Sequence, residues 1–265
     1  MFWQTVAFSA YFLGDASATP QAGGGNSGSA DFLRFGCSQL VVERTDPLVN
    51  PGLLPSPHMH QVVGGNSFNV TMDPDSIDPP ETSTCTSCIY TEDTSNYWTA
   101  SIYFKSPENG TYKRVPQMAN GRLNNTLLEQ DGGLTIYYMR PFSGDKCPST
   151  HPVRIPQVMY EIMYDTRGAM SDPKYFKDGK QPLVYSFGDT TGYGAHGDYL
   201  FGWKGDALQR AMDNLGKGCA SEDCTKILKI QAGKDAIACR KEQQAHEDVG
   251  NSNWLTEIPG NVQAQ

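Results

Sequence analysis

Basic residues are scarce in this sequence. The 265 residues contain 21 Lys and Arg against 29 Asp and Glu, giving a net charge of −8 and a pI near 5.1. Proteins that bind nucleic acid need clustered cations to neutralise phosphate groups, and no dense run of Lys or Arg occurs here. The composition therefore argues against a nucleic-acid partner.

Two other features are missing. The sequence has no Gly-x-Ser-x-Gly elbow, so it gives no support to serine-based hydrolysis. It also has no apolar run long enough to cross a bilayer. The most apolar stretch, residues 2–13, is short and is followed by Ala16-Ser17-Ala18, a pattern typical of signal-peptide cleavage. We therefore predict a signal peptide at residues 1–18 and a flexible Gly/Ser/Asn linker at residues 19–31.

Two features independently favour a secreted, extracellular location. Three Asn-x-Ser/Thr sequons occur, at Asn69, Asn109 and Asn124, and they predict a glycoprotein. Seven cysteines are typical of an oxidised protein, and their odd number leaves one without a partner in the chain. Cys85 and Cys88 form a Cys-x-x-Cys pair, but no second pair follows at zinc-finger spacing. We expect both to form disulfides with other cysteines.

The apolar pattern predicts a mainly β fold. Plentiful Gly, Pro and Tyr suit many short strands joined by turns. Residues 97–104 alternate with a period of two, placing Trp98, Ala100, Ile102 and Phe104 on one face, and residues 134–139 and 158–164 predict further strands. We expect one β-rich domain over residues 32–260, an antiparallel sandwich or jelly-roll-like core.

The last third of the chain predicts short helices within residues 205–245. Leu208, Ala211, Met212 and Leu215 have the spacing of an amphipathic helix. Residues 222–230 and 234–244 are also expected to be helical. Cys219, Cys224 and Cys239 are spaced to join this helical part to itself or to the sheet.

His58 and His60 form the most informative motif, His-Met-His between Pro and Gly residues. In an extended segment, side chains at positions i and i+2 point the same way, roughly 6–7 Å apart. Two imidazoles at that spacing can bind one metal ion or share one sugar-like ligand. Neutral imidazole suits a transition metal such as Zn or Cu. The alternative is that both rings donate hydrogen bonds to backbone carbonyls and have only a structural role.

A longer series of ordered motifs carries a family resemblance. The motifs are Arg34-Phe-Gly-Cys-Ser-Gln39, Asp46-Pro-Leu-Val-Asn-Pro-Gly52, His58-x-His60-Gln61, Gly65-Asn66, Cys85-x-x-Cys88, Asp93-x-x-Asn-Tyr-Trp98, Cys147-Pro-x-x-His151-Pro-Val-x-Ile-Pro156 and Tyr193-Gly-x-His196-Gly-Asp198-Tyr199. Over residues 32–260 the chain resembles a secreted family, mostly fungal with actinobacterial relatives, described as a domain of unknown function. Some members carry added WSC modules, and none is visible here.

The chain also departs from that family between residues 139 and 147. Members carry a longer stretch there, with a Phe-Pro-x-Cys-Trp-Asp-Gly segment and a Ser-His pair, whereas here residues 137–142 run almost directly into Cys147. The missing cysteines would explain the odd count. The resemblance therefore implies a shortened isoform or a gene model that lacks coding sequence.

The motifs together suggest one site. We predict that His58, His60 and His151 bind a metal, and that His196, Asp198 and Asp93 are catalytic. Predicted ligand-binding residues are Gln61, Asn66, Tyr97, Tyr193 and Tyr199, since aromatic faces stack on sugars. Trp98 alternates with Ala100 and Ile102, so we expect it in the core.

The predicted function is that of a secreted carbohydrate-active or carbohydrate-binding protein of the fungal cell wall or extracellular polysaccharide. A pair of carboxylates could instead serve a glycosidase, with Asp189 as a further candidate. The alternative class is a non-catalytic wall-associated structural or adhesion protein. The sequence leaves open whether the protein is an enzyme.

Overall fold

The computed structural model describes residues 32–118, 133–140, 148–153, 155–177, 179–219 and 223–264. The predicted signal peptide, the linker, the sequon at Asn124 and Cys147 lie outside these ranges. In the described part of the chain, no helix combines the length and the apolar character that a membrane crossing requires.

The described residues form a mainly β structure of antiparallel sheets, which confirms the predicted fold class. The strands are β1 Phe32–Cys37, β2 Val41–Glu43, β3 His60–Gly64, β4 Asn96–Ala100, β5 Ile102–Lys105, β6 Tyr112–Arg114, β7 Gln117–Met118, β8 Leu134–Met139, β9 Gln157–Glu161, β10 Met163–Tyr164, β11 Leu183–Tyr185 and β12 Gly197–Leu200. The helices are α1 Pro79–Thr82, α2 Ala207–Asp213 and α3 Gly233–Ala238, with 3-10 turns at Gly168–Ser171 and Pro173–Phe176.

The sheet that matters for the site has the strand order β12-β4-β3-β2. All three pairs of neighbours are antiparallel, and Thr99 in β4 lies opposite both Gln61 of β3 and Gly197 of β12. The other sheets have the orders β1-β8-β9, β11-β5-β6 and β10-β7. Pairing of β3 and β12 with the same central strand brings two segments far apart in sequence to one place.

The predicted strand over residues 97–104 is interrupted at Ser101. The segment forms β4 and β5, which belong to different sheets, because Ser101 donates its backbone N–H to Met59 and accepts from Ser186. Trp98 is buried with Val62 and Phe68 in one cluster, which confirms its predicted place in the core. Ala100, Ile102 and Phe104 instead belong to a second apolar cluster.

The helical part is shorter than the sequence predicts. The amphipathic helix is confirmed as α2, whose Ala207 and Ala211 are buried. The helix expected at residues 234–244 ends at Ala238. The helix expected at residues 222–230 is wrong, since residues 223–230 form turns and one β-bridge. The segment lies directly after the short Cys219–Cys224 disulfide.

Three disulfides join the described cysteines. Cys37 is bonded to Cys88, Cys85 to Cys239, and Cys219 to Cys224. Both members of the Cys-x-x-Cys pair thus have partners elsewhere, as predicted. The bond from Cys239 attaches the end of α3 to the sheet region, and the Cys219–Cys224 bond closes a short loop within the helical part.

Candidate metal centre

Three histidines converge at one end of the β12-β4-β3 sheet. His60 is the first residue of β3, His58 lies two residues before it, and His196 immediately precedes β12. One ring nitrogen of each lies within 4.8 Å of the corresponding nitrogens of the other two. The ring centroids of His58 and His60 are 4.3 Å apart, and those of His58 and His196 are 5.8 Å apart. This arrangement can hold a metal ion.

Hydrogen bonds to backbone carbonyls leave ring nitrogens free to bind. The Nδ1 atom of His60 donates to the carbonyl of Thr45 at 3.0 Å, and Nδ1 of His196 donates to the carbonyl of Gly194 at 2.7 Å. In a neutral ring each Nε2 then keeps its lone pair. The Nε2 atoms of His58 and His60 are buried and have no hydrogen-bond partner among the described residues. Such carbonyl bonds orient metal-binding imidazoles in known sites.

Burial keeps two of the rings neutral. Desolvation, followed by the neighbouring His196, lowers the pKa of His58 to about 4, although Asp46 opposes this shift. Desolvation and then His58 lower the pKa of His60 to about 3, with the bond to Thr45 acting in the opposite direction. Both rings are therefore uncharged at neutral pH. An imidazole must be neutral to bind a metal ion, because the protonated ring has no lone pair to share.

An aromatic wall supports the three rings. Phe187 packs edge-on against His58 with centroids 5.4 Å apart, and lies 5.4 Å from His196. Tyr185 stacks behind Phe187 at 5.3 Å. This wall limits the rotation of both histidines, so the site is held in position before any ion binds.

The loop that carries His196 is organised by Asp189. Its Oδ1 atom accepts hydrogen bonds from the backbone N–H and the hydroxyl of Thr191, and its Oδ2 atom accepts from the N–H of Gly194 at 2.8 Å. These bonds hold the pKa of Asp189 below its usual value even though burial acts to raise it. Asp189 therefore shapes the loop, and its oxygens accept hydrogen bonds from groups of that same loop.

Asp198 lies beside His196, one of the three histidines. Its Oδ2 atom is 4.0 Å from Nε2 of His196. This atom is buried and has no hydrogen-bond partner among the described residues. Burial raises the pKa of Asp198, and Asp46 adds to that shift, while His196 opposes it. The carboxylate is thus adjacent to Nε2 of His196 and available to a hydrogen-bond donor.

The other predicted metal ligand, His151, lies on an exposed turn. Its Nδ1 atom is 3.0 Å from the hydroxyl of Thr150. Among the described residues, the cluster that could hold an ion contains His58, His60 and His196, and His151 is not a member of it. A metal-binding role for His151 remains a prediction.

Asp93 and Tyr97 lie in a separate buried network. Tyr97 donates to Oδ2 of Asp93 at 2.8 Å and shares a 2.7 Å hydrogen bond with Tyr138. The hydroxyl of Tyr138 donates to Tyr199 and accepts from the indole of Trp203. Both Asp93 and Tyr97 have no exposed surface, and burial raises the pKa of Asp93 to about 7. The network therefore packs the core, and only Tyr199 is partly exposed.

The remaining predicted ligand-binding residues have different surroundings. Gln61 is buried and donates to the hydroxyl of Tyr164 at 3.1 Å. Asn66 accepts from the backbone N–H of Thr84 and belongs to a turn. Tyr193 lies on the His196 loop and is 81% exposed. Tyr193 is thus the predicted aromatic residue best placed to meet a ligand from solution.

Most of the chain is similar to one known protein family. The family model described as "Domain of unknown function (DUF1996)" matches residues 46–145 and 140–203, which is more than half of the chain. The chain belongs to this family. The two matched segments overlap at residues 140–145, which is the point at which the family resemblance implies that a stretch of sequence is missing. No curated protein and no solved structure matches the chain significantly.

Sequence reasoning missed three residues around this candidate centre. Phe187 supplies the aromatic wall, Thr45 fixes the ring of His60, and Asp46 acts electrostatically on His58 and Asp198. Asp46 stands in one of the recognised motifs, so that motif was the available signal for it. Phe187 and Thr45 carry no local signal, because their importance arises from contacts made only in the folded chain.

Proposed function

We propose that the protein is a secreted metal-binding protein that acts on, or binds to, polysaccharide of the fungal cell wall or extracellular matrix. His58, His60 and His196 hold one transition-metal ion such as zinc or copper. The observation that carries the proposal is the meeting of three ring nitrogens within 4.8 Å, two of them buried and unpartnered among the described residues.

The donor set indicates what kind of metal centre this is. Three imidazoles match catalytic zinc sites, in which three protein ligands leave one position open for water or substrate, whereas structural zinc sites are closed by four ligands. Imidazole nitrogen also suits copper, so the two metals compete for the same residues. Unpartnered buried nitrogens cost free energy in the empty protein, and a bound ion would remove that cost.

The surroundings of the centre support a carbohydrate ligand. Tyr193 is exposed on the loop that ends at His196, and Leu48 and Val49 are exposed two and three residues after Asp46. Aromatic and apolar surfaces pack against the C–H faces of sugar rings. The three disulfides support an extracellular location, because disulfides persist in oxidising compartments.

The first test is metal content. Residues 19–265 are expressed in a secretory host, dialysed, and analysed for bound metal by plasma mass spectrometry. We expect about one equivalent in the wild type and almost none in His58→Ala/His60→Ala or in His196→Ala. His246→Ala, which alters an exposed histidine, should keep the metal. Circular dichroism checks that each variant is folded.

The second test follows from the first. The metal-loaded protein is incubated with cell-wall glucans, and soluble products are separated from material bound to the polysaccharide. Metal-dependent product release would identify an enzyme, and metal-dependent retention would identify a binding protein. A folded wild type that holds no metal would contradict the proposed centre. It would favour the alternative, a non-catalytic wall-associated protein, which a glycan array would then examine.

A further inference from the structure

The carboxylate of Asp198 has a position that the three-histidine centre alone does not explain. Its Oδ2 atom lies 4.0 Å from Nε2 of His196, the nitrogen that faces away from the Gly194 carbonyl. The atom is buried and unpartnered among the described residues, although a fifth of the side chain remains accessible. A buried carboxylate oxygen without a donor is costly, so the site favours a ligand that supplies one.

The backbone that carries this carboxylate is held in place on both sides. Asp198 lies opposite Trp98 in the β12–β4 ladder. Tyr160 donates its hydroxyl to the carbonyl of Asp198 at 2.5 Å, and Thr99 donates its hydroxyl to the carbonyl of His196 at 2.6 Å. The carboxylate is therefore held beside the centre by the sheet and by a tyrosine that packs against Gly197.

Asp198 lies next to the cluster without belonging to it. The ligand atoms that lie within 4.8 Å of one another come from the three histidines. Ligands of one zinc ion sit about 2 Å from it, so a carboxylate just outside the set is placed to contact what the ion binds.

We propose that Asp198 makes the open metal position selective for a neutral O–H group, either water or a sugar hydroxyl, over an anion. Asp198 accepts the hydrogen bond of such a group and repels a negatively charged competitor. The inference rests on the proposed metal centre. It assigns to that centre a class of ligand that the three histidines by themselves do not select.

The test uses copper as the metal and azide as the anion. Wild-type protein and Asp198→Asn are loaded with Cu(II), and azide is titrated while the azide-to-copper absorption band is followed. The asparagine keeps the shape and loses the charge, so azide affinity should rise on the order of tenfold. Asp75→Asn, a loss of the same charge on an exposed turn, should leave azide affinity unchanged.

Each outcome is decisive. Equal azide affinity in the wild type and Asp198→Asn would overturn the inference while the metal centre stands. Loss of copper from a folded Asp198→Asn would also overturn it, since Asp198 would then be a metal ligand. A wild type that binds no copper or zinc would defeat the proposed function itself. A rise in azide affinity confined to Asp198→Asn, with one copper still bound, supports selection by the carboxylate.

Discussion

The ring centroids of His58 and His60 lie 4.3 Å apart, and a positive charge on either ring opposes protonation of the other. Burial lowers both pKa values more than this repulsion does, so the pair is neutral in the folded protein well below the pH at which free histidine takes up a proton. The metal-free protein therefore has its ligands in the binding form, and acid should work against the fold.

We predict that the metal-free protein loses stability as the pH falls from about 6.5 towards 3. The unfolded chain takes up protons near 6.5, whereas the folded pKa values are about 4 for His58 and about 3 for His60. The contribution of these two histidines to the free energy of unfolding is therefore complete above about pH 6.5 and is lost as the pH falls. His60 alone should account for about 3 kcal/mol between pH 7 and pH 4. Urea unfolding in EDTA, followed by tryptophan fluorescence, measures this loss.

The control for this prediction is His60→Asn. Its amide nitrogen can still donate to the Thr45 carbonyl, but the side chain no longer titrates. Between pH 7 and pH 4, the free energy of unfolding of His60→Asn should fall by about 3 kcal/mol less than that of the wild type. His246→Asn, at an exposed position, should behave as the wild type. Parallel curves for His60→Asn and the wild type would show that His60 titrates normally in the folded state.

We predict that Asp93 makes stability depend on pH in the opposite direction. Burial raises its pKa to about 7 in the folded protein, against an ordinary value near 3.8. The stability it contributes is fully present below about 3.8 and is lost as the pH rises towards 7. Asp93→Asn should remove that loss, because the amide oxygen can accept from Ser95 and Tyr97 can turn its hydroxyl to Tyr138. Thermal unfolding at pH 5 and pH 8 should show a smaller difference in the variant, and an equal difference would contradict the prediction.

The sequence allowed one half of the candidate centre to be predicted and not the other. His58 and His60 are two residues apart in extended chain, so their common direction follows from local geometry alone. The sequence analysis predicted His151 as the third ligand and a catalytic role for His196, whereas the cluster in the structure contains His196. His196 joins the pair because β12 aligns with β4, opposite to β3, and such long-range register depends on packing over the whole sheet.

The break between β4 and β5 at Ser101 is a feature of the fold that the sequence pattern also could not predict. The period-two pattern over residues 97–104 correctly indicates extended chain, and its members are buried as predicted. The pattern cannot show that one apolar face is divided between two sheets, because alternation continues unchanged through the break. At the break, Ser101 donates its backbone N–H to Met59 and its carbonyl accepts from Ser186, and both partners are distant in sequence.

A substitution at Gly194 should disturb the metal centre without altering a metal ligand. A Cβ atom at this position would lie 2.7 Å from the ring of Phe187 and 3.0 Å from Oδ2 of Asp189. Gly194→Ala should therefore displace the ring that packs against His58 and shift the loop that carries His196. We expect the dissociation constant for zinc to rise by about tenfold, because a loosened centre loses on the order of 1.4 kcal/mol of preorganisation.

Calorimetric titration with zinc measures this effect. Gly218→Ala is the matched control, since a Cβ atom there would meet its nearest neighbour, Ile227, at an ordinary 3.9 Å. The control should bind zinc as tightly as the wild type. Unchanged zinc affinity in a folded Gly194→Ala protein would mean that Phe187 and the His196 loop do not hold the ligands in place.

The disulfides differ widely in the length of chain they close, and their contributions to stability should differ accordingly. Cys85 and Cys239 are separated by 154 residues, whereas Cys219 and Cys224 are separated by 5. If a cross-link acts by restricting the unfolded chain, the long loop is worth about 5 kcal/mol and the short loop about 2 kcal/mol. Cys85→Ala/Cys239→Ala should thus lower the free energy of unfolding more than Cys219→Ala/Cys224→Ala does.

Urea denaturation without reductant compares the two double variants, and each serves as the control for the other. Peptide mapping of the unreduced wild type must first show the Cys85–Cys239 link, because a different pairing would change both loop lengths. Cys85 and Cys239 also pack against the Trp98 cluster, so their removal leaves a small void that adds to the loss. Equal losses in the two variants would mean that native-state packing around the bonds, and not the length of the closed loop, sets their contribution.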